Sequence, residues 1–288
     1  MTRQPARMTM ERYSGKVMSV MQYRKITSTA NQRIREAVQI GEKRAGSRHD
    51  AFIIEGPHLV EMALHAGVEI REVFVTESFS ARKEHEDLLE RIAKLTGKTY
   101  EVSEHILRKI TDTERPQGIA AIVSYNAKEL GSLHFPNKTF LVVLDGLQDP
   151  GNLGTIIRTA DAAGADAIIL LPGTCDAFMP KAIRATAGSI FNIPVIHTGL
   201  GACLKSLREK KIPLAITTAS AGNTIYDTDL SGPVAIAFGN EAHGVGSSLK
   251  KAADISLKVP IFGKAESLNV ATAAAICLYE VVRQRRNQ

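Results

Sequence analysis

Three loops of this chain contain polar side chains that could bind a ligand or do chemistry. Their sequences are Asn-Leu-Gly-Thr-Ile-Ile-Arg at residues 152–158, Phe-Gly-Asn-Glu-Ala-His-Gly-Val-Gly at 238–246, and Pro-Ile-Phe-Gly-Lys-Ala-Glu-Ser-Leu-Asn at 260–269. The glycines of the second loop would let a ligand approach the backbone closely. In the third loop, Ser267 or Asn269 can cap a following helix, whose free N–H groups can hold a polar or anionic ligand.

Each loop also has a plain structural interpretation. Arg158 could be an ordinary surface arginine, although a position about a turn and a half into a helix lets its side chain reach the loop end. Glu241 could be a carboxylate that only stabilises its own loop. The third loop could be an ordinary connection between a strand and a helix, so no one of the three stretches is decisive alone.

The elements around these loops alternate between strand and helix. Predicted strands cover 140–144, 167–171, 193–197, 213–218, 234–238 and 254–259, and predicted helices cover 153–163, 176–187, 200–210 and 268–283. Such alternation predicts a mostly parallel sheet with helices on both faces, in which Asn152 would cap the first helix. Ligands of such sheets lie beyond the carboxyl ends of the strands, where all three loops fall.

An α/β pattern of its own occupies residues 23–125. Predicted helices cover 31–44, 57–66, 82–95 and 104–110, and predicted strands cover 52–56, 69–76, 98–102 and 118–124. The first helix has Arg33 on its polar side and runs into a basic cluster of Lys43, Arg44, Arg48 and His49. This cluster is either a solvated face or a contact for RNA.

The remaining segments set the domain boundaries. Residues 1–22 show no clear periodicity, and we predict a disordered extension; an early start codon or a targeting segment are the alternatives. Residues 126–138 are polar, contain Gly131 and Pro136, and are predicted to be a linker. We therefore expect one domain at 23–125 and another at 139–288.

Composition restricts the classes of protein that this chain can belong to. Its 288 residues are 44% hydrophobic and 23% charged, as in soluble globular proteins, and no apolar run approaches the ~20 residues of a membrane helix. The three cysteines form no CxxC pair and the histidines are scattered, so neither a disulfide framework nor a metal site is expected, and a cytoplasmic location fits. The net charge of +6 favours a polyanionic partner.

Taken together, the three loops resemble the three motifs of the SpoU/TrmH family of RNA 2′-O-ribose methyltransferases, within the SPOUT superfamily. Order, spacing and residue types fit over residues 139–285. Residues 23–125 are similar to the substrate-binding domain often attached to these enzymes, which is related to RNA-binding ribosomal proteins. The resemblance there is carried by the basic loop and Phe-Ile-Ile-Glu-Gly within residues 44–56.

The resemblance implies a fold and a set of ligands. The fold would be an α/β RNA-binding domain followed by an α/β-knot methyltransferase domain, in which a deep trefoil knot threads the C-terminal segment through a loop. S-adenosyl-L-methionine (AdoMet) would be the co-substrate, with no metal, and the protein would be a homodimer with its site near the interface. The resemblance places AdoMet near Thr217, Thr218, Gly239, Val259, Ile261, Leu268 and Asn269, and the reacting ribose among Asn152, Arg158, Glu241, Ser267 and Asn269.

The implied reaction is an in-line attack of a ribose 2′-oxygen on the AdoMet methyl group, in which the bond from that methyl to sulfur breaks and S-adenosylhomocysteine leaves. Arginine keeps its proton at neutral pH, so we expect a charged Arg158 that binds the adjoining phosphate and stabilises the developing alkoxide. Ser267 and Asn269 would orient these groups, and Asn152 would hold the loop or the phosphate. The proton of the hydroxyl could then pass to phosphate or water.

Three other classes of protein share parts of this pattern. A dinucleotide-binding dehydrogenase is disfavoured because Gly199-Leu-Gly201 lacks the third glycine of the fingerprint, and a conventional open-sheet methyltransferase expects a different loop after its first strand. A non-catalytic RNA-binding ribosome-assembly factor of the same fold stays possible. Ribosomal RNA is the expected substrate because of the attached domain at 23–125, with transfer RNA as the alternative.

Overall fold

Two compact units make up the protein in a computed structural model that describes residues 9–13, 16–20, 23–42 and 50–286. The first unit ends at Tyr125, and the second contains the residues from Asn126 onward. No helix within these described residues is long and apolar enough to cross a membrane.

A short ribbon lies near the N-terminus. Strands β1 (Thr9–Tyr13) and β2 (Lys16–Val20) pair in an antiparallel manner, with Tyr13 opposite Lys16. The structure thus has strands at these two segments of the stretch that we predicted to be a disordered extension. The other residues of the 1–22 segment lie outside the described part of the chain.

The first unit is built on a mixed five-stranded sheet. Its strands are β3 (Arg24–Ile26), β4 (Ala51–Glu55), β5 (Ile70–Val75), β6 (Thr99–Val102) and β7 (Ile119–Ser124), and its helices are α1 (Gln32–Gly41), α2 (Pro57–His65), α3 (Glu77–Ser80), α4 (Glu86–Leu95) and α5 (Glu104–Thr111). The strand order is β3-β6-β5-β7-β4, in which β3, β6 and β5 are parallel and β7 is antiparallel to both its neighbours.

Two helix predictions in this unit need correction. The helix predicted for 82–95 is broken: α3 precedes it, residues Lys83–His85 form a 3-10 turn, and only α4 continues to Leu95. The helix predicted for 31–44 ends as α1 at Gly41, with Asn31 as its N-cap. Residues 43–49, which include the basic cluster, lie outside the described residues.

The second unit contains a seven-stranded sheet that is parallel throughout. Its strands are β8 (Phe140–Asp145), β9 (Ala167–Leu170), β10 (Val195–His197), β11 (Leu214–Thr217), β12 (Asn223–Thr224), β13 (Val234–Gly239) and β14 (Ile255–Lys258). The strand order is β10-β9-β8-β13-β11-β14-β12, so β13 lies between two strands that precede it in the chain. This arrangement confirms the predicted parallel α/β fold and adds the unpredicted edge strand β12.

The described residues of the second unit also form five α-helices: α6 (Pro150–Ala162), α7 (Pro180–Thr186), α8 (Leu200–Glu209), α9 (Ser247–Ala252) and α10 (Val270–Arg286). The predicted linker is part of this unit, since its 3-10 turn at Leu130–Ser132 places Leu130 in the hydrophobic core. The helix predicted for 176–187 begins only at Pro180, because residues 171–179 form a loop.

Strand register brings the predicted loops to one edge of the sheet, namely the edge formed by the carboxyl ends of its strands. Gly239 at the end of β13 lies opposite Asp145 at the end of β8, and Thr217 at the end of β11 lies opposite Leu257 in β14. Because neighbouring strands run in parallel, the loops that follow β8, β11, β13 and β14 all leave from the same edge. The prediction that the three polar loops share this edge is confirmed.

Candidate active site

The first loop is organised around Asp149, which sequence reasoning missed. Its carboxylate caps α6 by accepting a hydrogen bond from the Asn152 N–H at 2.8 Å, and it accepts another from Lys181 Nζ at 2.9 Å. These bonds from Lys181 and then from the Asn152 amide hold the pKa of Asp149 below its usual value, against a smaller opposing effect of burial. The helix therefore begins at Pro150, and the predicted role of Asn152 as its cap is wrong.

Asn152 uses its free side chain to join the other two loops. Its Nδ2 donates to Glu241 Oε1 at 3.2 Å, and its Oδ1 accepts from Asn269 Nδ2 at 3.0 Å. Asn269 in turn caps α10, since its Oδ1 accepts from the N–H groups of Ala271 and Thr272 at 2.9 and 3.2 Å. Glu241, Asn152 and Asn269 are thus joined in one hydrogen-bonded chain, although Asn152 lies 89 and 117 positions from the other two in the sequence.

Glu241 closes the start of α6. Besides Asn152, its carboxylate accepts from the backbone N–H groups of Gln148 and Asp149 at 3.3 and 3.2 Å. Partial burial acts to raise the pKa of Glu241, but the hydrogen bonds outweigh it and the pKa is lowered. The carboxylate is therefore ionised at neutral pH and anchors its loop to the first one, so the loop-stabilising role is the one that its contacts support.

The turn after β13 is tightly folded. Asn240 and Gly244 exchange backbone hydrogen bonds of 3.0 and 2.8 Å, and the Asn240 side chain donates to the Gly146 carbonyl at 2.8 Å. A Cβ atom at Gly239 would lie 2.1 Å from the carbonyl carbon of Gly244. The loop itself therefore requires a glycine at 239, whether or not a ligand approaches it.

The residues predicted to hold AdoMet surround the ends of β11, β13 and β14. Thr217 Oγ1 donates to the Ala237 carbonyl at 3.0 Å, and the Thr218 N–H donates to the Leu257 carbonyl at 3.0 Å. Val259 and Leu268 are partly buried, and Ile261 is exposed.

Backbone groups are available for a ligand at this edge. Within the described residues, those of 260–268 form no hydrogen bond, so free N–H and C=O groups lie beside the strand ends. Such donors and acceptors fit a ligand with a purine ring and an amino-acid moiety, which AdoMet has. Elsewhere in the described ranges, no group of three His, Cys, Asp or Glu side chains is arranged to hold a metal ion.

Two predicted site residues stand apart from the hydrogen-bonded chain. Arg158 is exposed on α6 and has no hydrogen-bond or ion-pair partner among the residues described, and the same holds for the Ser267 side chain. Arg158 lies six residues beyond Asn152, which is about 9 Å along the helix axis. Within one chain, the structure joins Asn152, Glu241 and Asn269, and it leaves Arg158 and Ser267 free to meet a ligand.

The predicted RNA contacts of the first unit are only partly described. Arg33 pairs with Glu72, and its guanidinium lies 5.0 Å from the centre of the Tyr100 ring. Its charge is therefore already partly neutralised within its own unit. Lys43, Arg44 and Arg48 lie outside the described residues.

A sequence signal for Asp149 did exist. An aspartate followed directly by proline is typical of an N-cap with proline at the first helical position. No comparable local signal identifies Lys181, whose role depends on α7 lying against the start of α6.

Comparison with known proteins places these features among RNA-modifying enzymes. The family model described as the SpoU rRNA Methylase family matches residues 139–279, and the MRM3-like substrate binding domain matches residues 31–121. The 23S rRNA (guanosine(2553)-2′-O)-methyltransferase RlmP of Bacillus subtilis is 36% identical over 259 residues, which cover 90% of this chain and 99% of that protein.

Two further proteins show the same likeness over most of their length. The 23S rRNA (guanosine-2′-O-)-methyltransferase RlmB of Shewanella oneidensis is 34% identical over 247 residues, covering 82% of this chain and 98% of the relative. An AdoMet-bound rRNA methyltransferase from Sinorhizobium meliloti superimposes with a TM-score of 0.80 at 32% identity, covering 91% of this chain and 98% of that one.

Proposed function

This chain belongs to the SpoU methylase family, and from that premise we propose that it is an AdoMet-dependent RNA 2′-O-ribose methyltransferase that acts on ribosomal RNA of the 23S type. The choice of substrate is supported by relatives that are named as 23S rRNA 2′-O-methyltransferases and that match most of the chain. The substrate-binding domain matched at residues 31–121 favours ribosomal over transfer RNA as the substrate.

One observation carries the proposal: Asn269 bonds to Asn152, and Asn152 bonds to Glu241. These three polar residues come from three distant loops and converge at the carboxyl ends of the strands of a parallel sheet. That edge is where ligands of such sheets bind. The convergence supports a single pocket shared by AdoMet and the ribose.

AdoMet supplies the methyl group on a positively charged sulfur. In our proposal, Thr217, Thr218, Gly239, Val259, Ile261, Leu268 and Asn269 line its site. The unpaired backbone groups of 260–268 would bind its polar atoms, while the partly buried Val259 and Leu268 would keep water from one side of it.

The ribose would lie between the amides of Asn152 and Asn269 and the guanidinium of Arg158. A charged arginine that has no partner among the described residues can bind the phosphate beside the ribose and stabilise the alkoxide that develops when the 2′-hydroxyl loses its proton to phosphate or water. Ser267 is exposed, has no side-chain partner within the described ranges, and would orient that hydroxyl. Glu241 acts here through Asn152, since its carboxylate already accepts three hydrogen bonds.

Further parts of the proposal concern the assembly. We infer a homodimer with the site near its interface, a deep trefoil knot in the second unit, no metal in the reaction, and a cytoplasmic location. The exposed position of Arg158 supports the dimer, because a second subunit could complete the site around a side chain that has no partner in the described part of its own chain.

Replacement of Arg158 tests the proposal most directly. We expect Arg158→Ala to lower the rate of methyl transfer to RNA by about 10²- to 10³-fold, because one donor to the developing oxyanion is lost. Affinity for AdoMet, measured by calorimetry, should stay near that of the wild type. Methyl transfer is measured with radiolabelled AdoMet and ribosomal RNA from a strain that lacks the gene.

Arg208→Ala is the matched control. Arg208 is another exposed arginine of the second unit, in the last turn of α8, and its loss should leave the rate unchanged. If Arg158→Ala is as active as this control, the assignment of Arg158 is wrong. If the wild type binds no AdoMet, the non-catalytic RNA-binding alternative holds, and methylation of transfer RNA alone would give the substrate as tRNA.

A further inference from the structure

Phe262 is the most exposed of the large hydrophobic side chains in the described residues. Solvent reaches 92% of its surface, against 68% for Leu95, the next in order. It lies in the loop between β14 and α10, beside the exposed Ile261. Scattered apolar residues on a surface are normal, so exposure alone assigns no role to this ring. The position of the ring in the loop is what indicates a role.

The loop that carries Phe262 is held at both ends beside the site. Lys258 accepts a backbone hydrogen bond from Ile225 at 3.0 Å, and Asn269 bonds to Asn152. Phe262 is four residues from Lys258 and five from Ser267, so its Cα lies within about 14 Å of the first and about 18 Å of the second. Phe262 is therefore tied to a loop whose C-terminal end, Asn269, borders the place proposed for the ribose.

The chemistry around the ring suits a nucleic-acid strand. Lys258 precedes Phe262 and Lys264 follows it, and Lys264 is exposed without an ion pair among the described residues. Glu266 is the single acid of residues 259–268. Aromatic side chains beside basic ones bind single-stranded RNA by stacking on unpaired bases while the lysines contact phosphates.

The patch is too small to form a stable protein interface by itself. Its apolar part consists of two adjacent side chains, Ile261 and Phe262, whereas a stable protein interface buries about 800 Å² on each partner. A single unpaired base covers one face of a phenyl ring, which matches the size of the patch.

We propose that Phe262 stacks on the unpaired base of the nucleotide that is methylated. Phe262 is then a substrate-binding residue on the RNA side of the site. This inference rests on the proposed function. Methylation of a 2′-oxygen leaves the base chemically untouched, so the base is free to be held by stacking while its ribose reacts. The ring would fix the nucleotide in place without a hydrogen bond to it.

The absence of tryptophan from the sequence provides a direct probe. Phe262→Trp introduces a lone indole, and stacking of a base on it quenches its fluorescence. We expect quenching when an RNA hairpin that contains the mapped methylation site is added, and none when the base of that one nucleotide is removed. Quenching that survives the removal of this base, or that AdoMet alone produces, overturns the proposal.

Affinity for the same hairpin gives an independent measurement. Loss of one stacked base predicts that Phe262→Ala weakens RNA binding about fivefold to a hundredfold, and that Phe262→Leu behaves like it, while Phe262→Tyr stays close to the wild type. Affinity for AdoMet and the oligomeric state should not change. Leu95→Ala, which removes an exposed leucine of the first unit, is the matched control and should be silent.

Several results would contradict the stacking. Unchanged RNA affinity in Phe262→Ala, full affinity in Phe262→Leu, or dissociation of an oligomer in either variant would each show that the ring does not stack on RNA. A failure of the proposed function is distinct from these results. In that case the wild type methylates no RNA, and quenching of Phe262→Trp by single-stranded polyuridylate still decides whether the ring meets a base.

Discussion

The Asn152 side chain can connect the three loops because Asp149, and not Asn152, caps α6. Both ends of the Asn152 side-chain amide are therefore available, one for Glu241 and the other for Asn269. Lys181 holds Asp149 from the other side. The position of a residue proposed to contact substrate therefore depends on a cap and an ion pair that themselves have no contact with Asn269.

Removal of that cap has a measurable effect on stability. We expect Asp149→Ala to lower the free energy of unfolding at pH 7 by about 1 kcal/mol, as for other N-cap replacements. The measurement is urea unfolding followed by circular dichroism. Asp149→Ser keeps a capping oxygen but loses the bond to Lys181, so its free energy of unfolding should lie between those of Asp149→Ala and the wild type.

The difference in stability between the wild type and Asp149→Ala should also depend on pH. Hydrogen bonds from Lys181 and Asn152 lower the pKa of Asp149 in the folded state, so its contribution is complete above the unfolded value of about 3.9 and is lost as the pH falls through the lower folded value. The gap between wild type and Asp149→Ala should thus be constant from pH 7 to pH 5 and shrink below about pH 4. A gap that is constant down to pH 3 would contradict this account.

At the scale of helices and strands, runs of apolar residues were enough to predict where the elements lie in the sequence. They were not enough to predict which strands pair with each other. Strand β8 is apolar from Phe140 to Leu144, which marks it as buried on both faces. Its pairing with β13, whose residues come much later in the chain, has no local signature. The contact of Asn152 with Glu241 follows from that pairing, and only the family resemblance predicted that they would meet.

Helices α6 and α7 approach each other closely at Gly154. A Cβ atom there would lie 2.4 Å from the Ala182 carbonyl oxygen and 2.5 Å from the Ala185 Cβ. Because Lys181 lies on α7 and Asp149 caps α6, this close contact also sets the distance across their ion pair. The glycine fixes the start of the helix that carries both Asn152 and Arg158.

Alanine replacements separate this packing effect from helix propensity. Alanine normally stabilises a helix relative to glycine by up to about 1 kcal/mol, but in Gly154→Ala we expect overpacking to destabilise the second unit by about 1 to 3 kcal/mol. In Gly201→Ala, on α8, the new methyl group meets nothing within 4 Å, and stability should be at or above that of the wild type. Urea unfolding of both variants gives the comparison, and equal effects would contradict the close packing.

At the scale of the whole molecule, each unit has a hydrophobic core of its own. Phe74, Ile106 and Ile122 belong to the core of the first unit, and Leu141 and Ile169 belong to that of the second. The residues proposed to bind AdoMet all come from the second unit, whereas the matched substrate-binding domain lies in the first. Cofactor binding and part of RNA binding are therefore assigned to separately folded parts of one chain.

Separate cores predict two unfolding transitions in calorimetry. AdoMet at a hundredfold excess over its dissociation constant should stabilise the second unit by about 2.7 kcal/mol and leave the other transition unchanged. The transition that AdoMet raises should be the one that Gly154→Ala lowers. A single transition, or an equal shift of both, would show that the units do not unfold independently.

The place of β13 in the middle of the sheet has a consequence for how the protein is made. Strand β8 leaves the ribosome long before its neighbour β13, since roughly 90 residues separate them, and at about 5 to 20 residues per second the delay is roughly 5 to 20 seconds. During that delay one hydrogen-bonding edge of an apolar strand has no native neighbour. The yield of correctly folded protein in a cell should accordingly depend on chaperones that shield this edge during translation.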